Sequence, residues 1–453
     1  MKNLNQKHIV VAGAARSGVA VAILLKEKGG DIFVTDAGPI AAHFKERLQE
    51  NDIPFEEKGH TGQAETGDFL VMSPGIPSEA PIATTYSESG RHIYSELEVA
   101  SWFTGNRMVA VTGTNGKTTV ANWMAHIWKT AGNSHELAGN IGTAFSDVVL
   151  GTPEDADILL EVSSFQLDHI HTFAPTVSMI LNITPDHMNR YNNDFEKYAQ
   201  AKFRITENQT SDHWFIYDDD DPVLSDFSKT LSGRKNAPKP LSFSLEHEVD
   251  EGMYLHNGKL IFTFNQKKQT LMNTEDVGLP GKHNLKNGMA AALAARACEI
   301  SNDFIRESLK RFEGVEHRLE LIRVLDGVSY INDSKATNIN AVWYALNSFD
   351  MPIVLILGGR DKGNNYCQLQ SQLVEKVHTI IAIGEARKAI QTQLNNVVPN
   401  MLEAETMEEA VEISRKKAKR GEIVLLSPAC SSHDMFNDYE HRGNCFAEAV
   451  NQL

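Results

Sequence analysis

Short apolar segments alternate with amphipathic stretches along most of the chain. The apolar segments are rich in β-branched residues, as strands are, whereas the stretches between them repeat apolar positions every three or four residues, as helices do. This alternation predicts an α/β fold with parallel sheets covered by helices. The predicted strands are residues 9–12, 32–35, 69–72, 108–112, 158–162, 177–183, 214–217, 330–332, 353–357, 380–383 and 423–426.

Breaks in this pattern divide the chain into three predicted domains. The first covers residues 1–104 and ends just before a glycine-rich loop, the second covers residues 105–315, and the third covers residues 316–453. A chain of 453 residues is long enough for about three domains that each bury a core.

Composition narrows the class of partner. The net charge of −16 argues against nucleic acid or an anionic membrane, although a local basic pocket can still hold a small anion. Four scattered cysteines fit a reducing compartment better than a disulfide scaffold or a zinc site. The first residues lack a signal-type apolar core, and no stretch approaches the length of a membrane span. We therefore expect a cytoplasmic protein that acts on a soluble substrate.

The segment 108–119 carries the strongest chemical signal. A hydrophobic strand runs into a glycine loop that ends in Lys117 and Thr118. Such a loop lets backbone N–H groups surround phosphate oxygens, while the lysine faces the terminal phosphates and the hydroxyl binds magnesium. An ordinary glycine-rich turn is the alternative. The predicted nucleotide contacts are Gly113, Thr114, Asn115, Gly116, Lys117, Thr118 and Thr119.

Three further side chains in the second domain follow apolar segments. Glu161 ends a strand, where a carboxylate can reach the magnesium held by Thr118. Asn140 and His187 lie in loops; alone, His187 would be a surface or packing residue, but its place in a nucleotide domain favours ligand or substrate contact. The acidic run 218–221 is interpreted as a solvated turn, with a metal site as the alternative.

Lys202 lies on an apolar helical stripe with Phe195, Tyr198 and Ile205. A lysine on an inward face either extends its amine to water or has a chemical role. Carbamylation is one such role, since it replaces a buried cation with an anion that can bind a second magnesium. Further along, Asn284 and Asn287 open an alanine-rich helix around residues 285–300. Their amides could contact the adenine side of ATP, with simple helix capping by Asn284 as the alternative.

The first domain begins with a βαβ pattern. Gly-Ala-Ala-Arg-Ser-Gly (13–18) follows the first strand and Asp36 ends the second, but Ala15 replaces the middle glycine of a dinucleotide fingerprint. A second turn, Ser-Pro-Gly-Ile-Pro (73–77), also follows a strand. Both turns should face the same sheet edge and hold a ligand there, or they are merely tight turns.

The third domain carries charged loops after its strands. Arg318 lies in the segment 316–320, just after the second domain ends. Asp333 and Lys335 follow the predicted strand 330–332, and Lys362 and Ser432 lie in two later loops. Solvated charge clusters are the alternative for the segments around Arg318 and Asp333. A hydrolase triad of residues 432–434 is disfavoured, because consecutive side chains do not easily form the required relay and no nucleophile elbow surrounds them.

In this order, these motifs resemble those of the Mur ligase family over essentially the whole chain, including a phosphate loop in which Val111 replaces the first glycine. The resemblance implies a Rossmann-like N-terminal domain, a central P-loop ATPase-like domain and a C-terminal Rossmann-like α/β domain. It implies an ATP-dependent ligase, acting as a monomer with ATP and two Mg²⁺ ions, that adds D-glutamate to UDP-N-acetylmuramoyl-L-alanine in peptidoglycan precursor synthesis.

The resemblance also implies a role for each candidate residue. The nucleotide-sugar substrate would be bound by Ser17, Asp36, Ser73, Gly75, Asn140 and His187. Magnesium would be bound by Thr118, Glu161, His187 and carbamylated Lys202. The rest of ATP would be bound by Asn284, Asn287, Arg318 and Asp333, and the amino acid by Lys335, Thr337, Lys362, Ser432 and Tyr439. A nucleotide-gated binding protein and an NAD-dependent oxidoreductase are the alternatives from other classes.

Overall fold

The computed structural model describes residues 4–361 and 363–453, and these residues form three sheets. The contacts group them into two compact units. One unit contains residues up to 278 together with 284–312, and the other contains 279–283 and the residues from 313 onward. The first unit holds two of the sheets, so the domain boundary at residue 104 stays a prediction. No helix in the described part of the chain combines the length and the apolar character needed to cross a bilayer.

The first sheet is parallel, with strand order β3-β2-β1-β4-β5. Its central strand is apolar on both faces because helices cover both sides of the sheet. The carboxyl ends of β1 and β4 are neighbours, so the loops that follow them lie side by side. The elements are β1 (His8–Ala12), α1 (Arg16–Glu27), β2 (Asp31–Asp36), α2 (Ala42–Glu50), β3 (Phe55–Glu57), β4 (Phe69–Met72), α3 (Pro81–Glu88), β5 (Ile93–Ser95) and α4 (Glu96–Ser101).

The second sheet has the order β14-β13-β12-β11-β10-β9-β6-β8-β7 and is parallel except for an antiparallel ribbon at one edge. The strand before the phosphate loop, β6, lies between β8 and β9, so the ends of those strands flank the loop. The strands of the second sheet are β6 (Met108–Thr112), β7 (His135–Gly139), β8 (Asp157–Glu161), β9 (Val177–Ile180), β10 (Trp214–Asp218), β11 (Lys239–Ser244), β12 (Gly252–His256), β13 (Lys259–Phe264) and β14 (Lys267–Asn273).

The helices of this region include the one that begins at the phosphate loop. They are α5 (Lys117–Ala131), α6 (Phe145–Val149), α7 (Ser164–Leu167), α8 (Phe195–Phe203), α9 (Pro222–Ser232), α10 (Lys282–Ala297) and α11 (Asn302–Arg311). Short 3-10 helices lie at Gly62–Glu65, Met188–Tyr191, Arg204–Thr206, Thr274–Asp276 and Tyr366–Leu369.

A buried carboxylate joins the first sheet to the second. Glu98 on α4 accepts hydrogen bonds from the backbone N–H groups of His171, Thr172 and Phe173 at 2.8–3.0 Å, and from the Thr172 hydroxyl. The indole of Trp102 donates to the same carboxylate at 2.8 Å. Although burial opposes ionisation, these hydrogen bonds hold the pKa of Glu98 below its usual value.

The third sheet has the order β15-β16-β20-β17-β18-β19, with β15 antiparallel to β16 and the other pairs parallel. Loops that follow its parallel strands therefore meet at one edge. The elements are β15 (Glu320–Leu325), β16 (Val328–Asn332), α12 (Ile339–Asn347), β17 (Ile353–Gly358), α13 (Gln370–Lys376), β18 (Val377–Ile383), α14 (Arg387–Leu394), β19 (Asn400–Glu403), α15 (Met407–Lys417), β20 (Ile423–Leu426) and α16 (Tyr439–Asn451).

Each predicted strand coincides with an observed one, and one boundary is clearly wrong. The segment 177–183 was expected to be a single strand, but β9 ends at Ile180. The chain leaves the sheet there because the side chain of Asn182 hydrogen-bonds to the backbone of Asn115 in the phosphate loop. The observed strands that the sequence did not predict are β3, β5, β7, β11, β12, β13, β14, β15 and β19.

Candidate active site

The loop 113–119 joins β6 to α5 and is held from several sides. Lys117 folds back, and its Nζ donates to the carbonyl oxygens of Gly113 at 2.9 Å and Thr114 at 2.7 Å. Gly116 has a φ of +89°, and a Cβ added there would lie 2.5 Å from Oδ1 of Asn287. Only glycine fits this backbone without displacement. The loop thus presents a helix N-terminus and a lysine at one point, which is an anion-binding arrangement.

A chain of hydrogen bonds connects this loop to the end of the neighbouring strand β8 and to the turn after β7, the next strand in the sheet. The Thr118 hydroxyl donates to Glu161 Oε2 at 2.7 Å, and Asn140 Nδ2 donates to Glu161 Oε1 at 3.1 Å. Glu161 is buried at the end of β8, and a Cβ added at Gly139 would lie 2.4 Å from its carbonyl oxygen. The structure therefore brings together the hydroxyl, carboxylate and amide that the sequence singled out.

Lys202 is buried rather than extended to water. Only 2% of it is exposed, and its Nζ donates to the Gly113 carbonyl at 2.9 Å, the same oxygen that accepts from Lys117. The Tyr198 ring centroid lies 4.6 Å from this Nζ. Burial, with the nearby Lys117 cation, holds the pKa of Lys202 well below its usual range. The interpretation of Lys202 as a side chain that reaches solvent is wrong.

His187 follows the loop after β9 in a left-handed conformation, with a φ of +51°. Its backbone N–H donates to Asp186 Oδ1 at 2.8 Å, and its ring lies 5.0 Å from the ring of Phe165, edge to face. The imidazole is about half exposed. It is thus placed at the surface of the loop, where a ligand can reach it.

Asn284 and Asn287 lie on one face of α10, and both are buried. Asn287 Nδ2 approaches Asn284 Oδ1 at 3.5 Å, while Asn287 Oδ1 is directed at Gly116. Asn284 is inside the first turn of the helix, which begins at Lys282, so the simple capping alternative is wrong. The pair adjoins the phosphate loop.

The two loops of the first sheet meet as expected. The Ser73 hydroxyl donates to the Gly13 carbonyl at 3.0 Å, and Asp36 accepts from the N–H groups of Ala14 at 2.7 Å and Gly38 at 2.8 Å. Ser73 and Asp36 thus hold the loops in shape, which is what the tight-turn alternative predicts. Ser17, in the first turn of α1, is partly exposed, and Gly75 is exposed.

In the third sheet, the predicted residues gather around two loops. Asp333 is buried, and it accepts from the Ser427 hydroxyl at 2.7 Å and the Leu319 N–H at 3.3 Å. Burial raises the pKa of Asp333 to about 7, against the lowering effect of Ser427 and Arg318. Arg318 is partly buried and precedes β15 by two residues.

Lys335 and Tyr439 come together at this edge, since Lys335 Nζ donates to the Tyr439 hydroxyl at 3.2 Å. Ser432 is buried, and Thr337 is partly buried. The neighbouring loop after β17 is joined to the Ser432 loop by the Arg360 N–H, which donates to the Ser431 carbonyl at 2.9 Å. Lys362, predicted to bind a carboxylate, lies outside the described residues.

The acidic run 218–221 is not the solvated turn that its composition suggested. Asp218 is buried, and Lys286 of α10 approaches Asp218 Oδ2 at 2.7 Å and Asp220 Oδ2 at 2.9 Å. Asp221 caps α9 through the N–H groups of its first turn. The metal-site alternative is not supported either: the described part of the chain contains no group of three or more His, Cys, Asp or Glu suited to hold a metal ion.

The serine, histidine and aspartate at 432–434 do not form a relay. His433 Nδ1 is 2.8 Å from the carbonyl oxygen of Asn437, and Asp434 accepts from the Glu385 N–H at 2.9 Å. The two side chains thus have different partners, as the argument from consecutive residues predicted.

Comparison with known families covers most of the chain. The Mur ligase middle domain matches residues 111–295, the Mur ligase glutamate ligase domain matches residues 317–430, and the MurD N-terminal domain matches residues 9–82. The UDP-N-acetylmuramoylalanine–D-glutamate ligase of Salinibacter ruber is 44% identical over 448 residues, which span 98% of this chain and 97% of that protein. The chain belongs to the Mur ligase family. The protein of the same name from Christiangramia forsetii is 43% identical over 99% of this chain and 100% of that protein.

Solved structures place the Mur ligase fold over the full length. The MurF ligase of Thermotoga maritima in complex with ADP has a TM-score of 0.61 at 15% identity and covers 100% of both chains. The pseudomurein peptide ligase type C of Methanothermus fervidus has a TM-score of 0.61 at 18% identity and covers 99% of this chain and 100% of that chain. The predicted three-domain α/β fold is confirmed. Membership in a ligase family also leaves the oxidoreductase alternative without support.

Two residues of this Mur ligase were missed by sequence reasoning. Asn182 accepts from the Asn115 N–H at 2.8 Å and donates to the Asn115 carbonyl at 3.1 Å, which fixes the phosphate loop. The sequence signal for Asn182 was an amide two residues after a strand end, but the predicted strand 177–183 placed this residue inside the strand. Arg442 is fully buried and donates to the Ser334 hydroxyl and carbonyl and to the Cys430 carbonyl at 2.7–3.1 Å. Its partners are distant in sequence, so no local pattern could reveal it.

Proposed function

We propose that this Mur ligase joins D-glutamate to UDP-N-acetylmuramoyl-L-alanine in an ATP-dependent reaction of peptidoglycan precursor synthesis. The observation that carries the proposal is the hydrogen-bonded chain from Thr118 through Glu161 to Asn140 beside the glycine loop. It unites a phosphate loop, a metal-binding carboxylate and a loop able to contact a second substrate. The choice of substrates is supported by relatives of 40–44% identity whose names state this ligation.

The residues present fit the phosphates of ATP. The N-terminus of α5 and Lys117 supply positive charge, and the loop carries glycine where a side chain would obstruct the backbone. We assign the phosphates to residues 113–119 and the adenine side to Asn284 and Asn287. Arg318 and Asp333 would complete the nucleotide site, as a phosphate clamp and a ribose contact.

The Thr118 hydroxyl and the Glu161 carboxylate are hard oxygen donors of the kind that magnesium prefers. We propose that they hold one ion, and that His187 with carbamylated Lys202 helps to hold a second. When bound, magnesium would offset repulsion between the phosphates and the carboxylate of the substrate. Carbamylation joins the Lys202 ammonium to CO₂ with loss of two protons, which replaces a cation beside Lys117 with an anion.

The chemistry follows from the poor reactivity of a carboxylate toward amines. An oxygen of the L-alanine carboxylate attacks the γ-phosphorus of ATP, the bond to ADP breaks, and an acyl phosphate forms. The D-glutamate amine then attacks the acyl carbon, and phosphate and a proton leave. Lys117 stabilises charge on the transferring phosphoryl group. Exclusion of water would protect the acyl phosphate from hydrolysis.

The first-sheet residues Ser17, Asp36, Ser73 and Gly75 are assigned to the nucleotide-sugar substrate, with Asn140 and His187 toward its reacting end. We assign D-glutamate to the third domain. Its pocket would contain Lys335, Thr337, Lys362, Ser432 and Tyr439. Charge supports this assignment, because two lysines suit an amino acid with two carboxylates.

We further propose that the protein acts in the cytoplasm as a monomer. All four of its cysteines are free, as a reducing compartment would maintain them. Size-exclusion chromatography with light scattering would test the oligomeric state, and a mass of twice 50.2 kDa would contradict the monomer.

The first test is phosphate release from ATP with magnesium and UDP-N-acetylmuramoyl-L-alanine, with D-glutamate, L-glutamate, D-alanine or L-lysine added in parallel. Release that requires D-glutamate is expected. Lys117→Met should abolish it, whereas Lys129→Met, at an exposed position of the same helix, should not. Turnover with another amino acid would overturn the choice of D-glutamate, and turnover with no amino acid would favour a nucleotide-gated binding protein.

Carbamylation of Lys202 has a separate test. Lys202→Ala should lose activity and regain part of it when small carboxylates are added, independently of bicarbonate. The mass of the corresponding wild-type peptide should carry one added CO₂. Full activity of Lys202→Ala would refute the proposal.

A further inference from the structure

Two arginines connect the loops of the first and second sheets, which belong to one compact unit. One arginine lies beside the first sheet and bonds to a loop of the second, and the other lies beside the second sheet and bonds to a loop of the first. Arg16, at the start of α1, donates to the Gly142 carbonyl at 2.6 Å and to the Gly139 carbonyl at 3.4 Å. Between these glycines lies Asn140, which donates to Glu161. A side chain from the helix after β1 thus holds the turn that contains Asn140, the last member of the hydrogen-bonded chain from Thr118 through Glu161.

Arg190 makes the reverse connection. It lies in the 3-10 helix just after His187 and donates to the carbonyls of Pro74 at 2.7 Å and Ile76 at 2.8 Å. Its guanidinium carbon is 3.9 Å from the centroid of the Phe165 ring, and the same ring packs against His187. A side chain of the second sheet thus holds the loop around Gly75, and its stacking partner also contacts a candidate site residue.

Arginine suits this task for geometric reasons. The guanidinium is planar and always charged, and two of its nitrogens can bond two carbonyl oxygens at once, which fixes both distance and orientation. A lysine in the same place has one flexible ammonium and fixes much less. Both arginines hold backbone carbonyls, so they position loops without depending on the side chains of those loops.

The four carbonyls belong to loops that the proposed function assigns to opposite ends of one substrate. The loop 73–77 faces the nucleotide of that substrate, and the turn 139–142 adjoins the site of its reacting carboxylate. Since one molecule must span both, the separation of the loops decides where its carboxylate lies relative to the phosphate loop. A misplacement of about 1 Å between reacting groups can cost about a hundredfold in rate.

We propose that Arg16 and Arg190 are positioning residues that set the separation between the nucleotide-binding loop of the first sheet and the phosphate loop of the second, and so deliver the acceptor carboxylate to ATP. This inference rests on the proposed function. The proposed positioning role differs from a role in stabilising the fold. Loss of the arginines should lower kcat more than it lowers the stability of the protein or its affinity for the nucleotide-sugar substrate.

The test compares Arg16→Lys and Arg190→Lys with Arg91→Lys. Arg91 is a matched control: it donates to the carbonyls of Glu65 and Gly67 at 2.6 and 2.9 Å and stacks 4.0 Å from the Tyr86 ring, but all of these residues precede the second sheet. For each variant, kcat and the KM values for ATP and D-glutamate are measured by phosphate release. Affinity for UDP-N-acetylmuramoyl-L-alanine is measured by calorimetry, and Tm by thermal unfolding.

We expect kcat to fall about tenfold or more in Arg16→Lys and Arg190→Lys. Affinity for the nucleotide-sugar substrate and the KM for ATP should stay near wild type, and Arg91→Lys should keep its kcat. The double variant should lose less than the product of the single losses, because both side chains control one distance.

Three results would overturn the inference. The first is a kcat for both variants equal to that of Arg91→Lys. The second is a loss of substrate affinity equal to the loss of kcat/KM, which would make the arginines part of the binding loops only. The third is a fall in Tm that accounts for all lost activity. A wild-type protein without D-glutamate-dependent turnover would instead refute the proposed function, and this inference with it.

Discussion

Replacement of Glu98 by glutamine should destabilise the protein strongly, although the change adds no bulk. One carboxylate oxygen of Glu98 accepts from the backbone N–H groups of His171, Thr172 and Phe173, and the other accepts from Trp102 and Thr172. A glutamine amide has only one oxygen. Whichever way it turns, its NH₂ group faces donors that lose the acceptor oxygen of Glu98.

The structure sets the magnitude. The smaller loss removes the acceptor that Glu98 provides to the partly buried indole N–H of Trp102, and the loss of a desolvated donor's acceptor costs about 1–3 kcal/mol. The remaining bonds lose their charge, and a hydrogen bond to a charged group contributes roughly 1 kcal/mol more than a neutral one. With two or more such bonds, we expect Glu98→Gln to lower the free energy of unfolding by about 3–5 kcal/mol.

The effect should depend on pH in a defined direction. Because the pKa of Glu98 is lowered in the folded protein, its contribution is present above the unfolded pKa of about 4.3 and is lost as pH falls through the folded value. The difference between wild type and Glu98→Gln should therefore be largest near neutrality and shrink below about pH 4.

Urea unfolding followed by tryptophan fluorescence measures the loss, and hydrogen exchange of amides 171–173 locates it. Glu46→Gln, at an exposed position of α2, is the control and should stay within about 0.5 kcal/mol of wild type. Equal stability of the two variants, with amides 171–173 still protected in Glu98→Gln, would refute the reasoning.

Three further predictions concern the candidate site. Burial raises the pKa of Asp333 to about 7, so the folded state holds a proton that the unfolded state loses near pH ~4. The Tm should therefore fall as pH rises from about 4 to 7, and Asp333→Asn should remove this dependence of Tm on pH. Gly116→Ala should reduce ATP-dependent turnover at least tenfold because its left-handed backbone costs about 1–2 kcal/mol before any clash, whereas Gly105→Ala, with open space around it, should not. Arg442→Lys should lower stability by about 3 kcal/mol through lost buried hydrogen bonds, as measured in urea, while exposed Arg415→Lys should match wild type. A flat Tm profile in wild type, an active Gly116→Ala or a stable Arg442→Lys would each contradict the corresponding argument.

Central strands could be predicted from sequence because they are covered on both faces and read as unbroken apolar runs. The strands that escaped prediction are mostly short or lie at or near sheet edges, where polar residues interrupt the pattern, as in β14 with three lysine or glutamine positions at its start. The antiparallel ribbon β13–β14 has no counterpart in a pattern of alternating strands and helices.

Within the site, sequence could identify residues whose chemistry is local. Lys117 and Thr118 adjoin the loop they serve, and Lys202 was detectable as a charge on an apolar stripe. Residues that act through distant partners could not be found this way. Arg442 bonds to a residue 108 positions earlier, and Arg190 bonds to carbonyls 116 and 114 positions earlier, so only the folded chain relates them.

The close backbone contacts at Gly116 and Gly139 also bear on how the site could escape an inhibitor. A side chain at Gly116 would collide with Asn287, and one at Gly139 would collide with the backbone at Glu161. A compound that bonds mainly to the amides of these two loops would rely on positions where substitution disrupts the site itself. Resistance would then have to arise from more distant residues. Such substitutions should weaken binding of this compound less than a change at an exposed side chain such as His187 would weaken a ligand that depends on it.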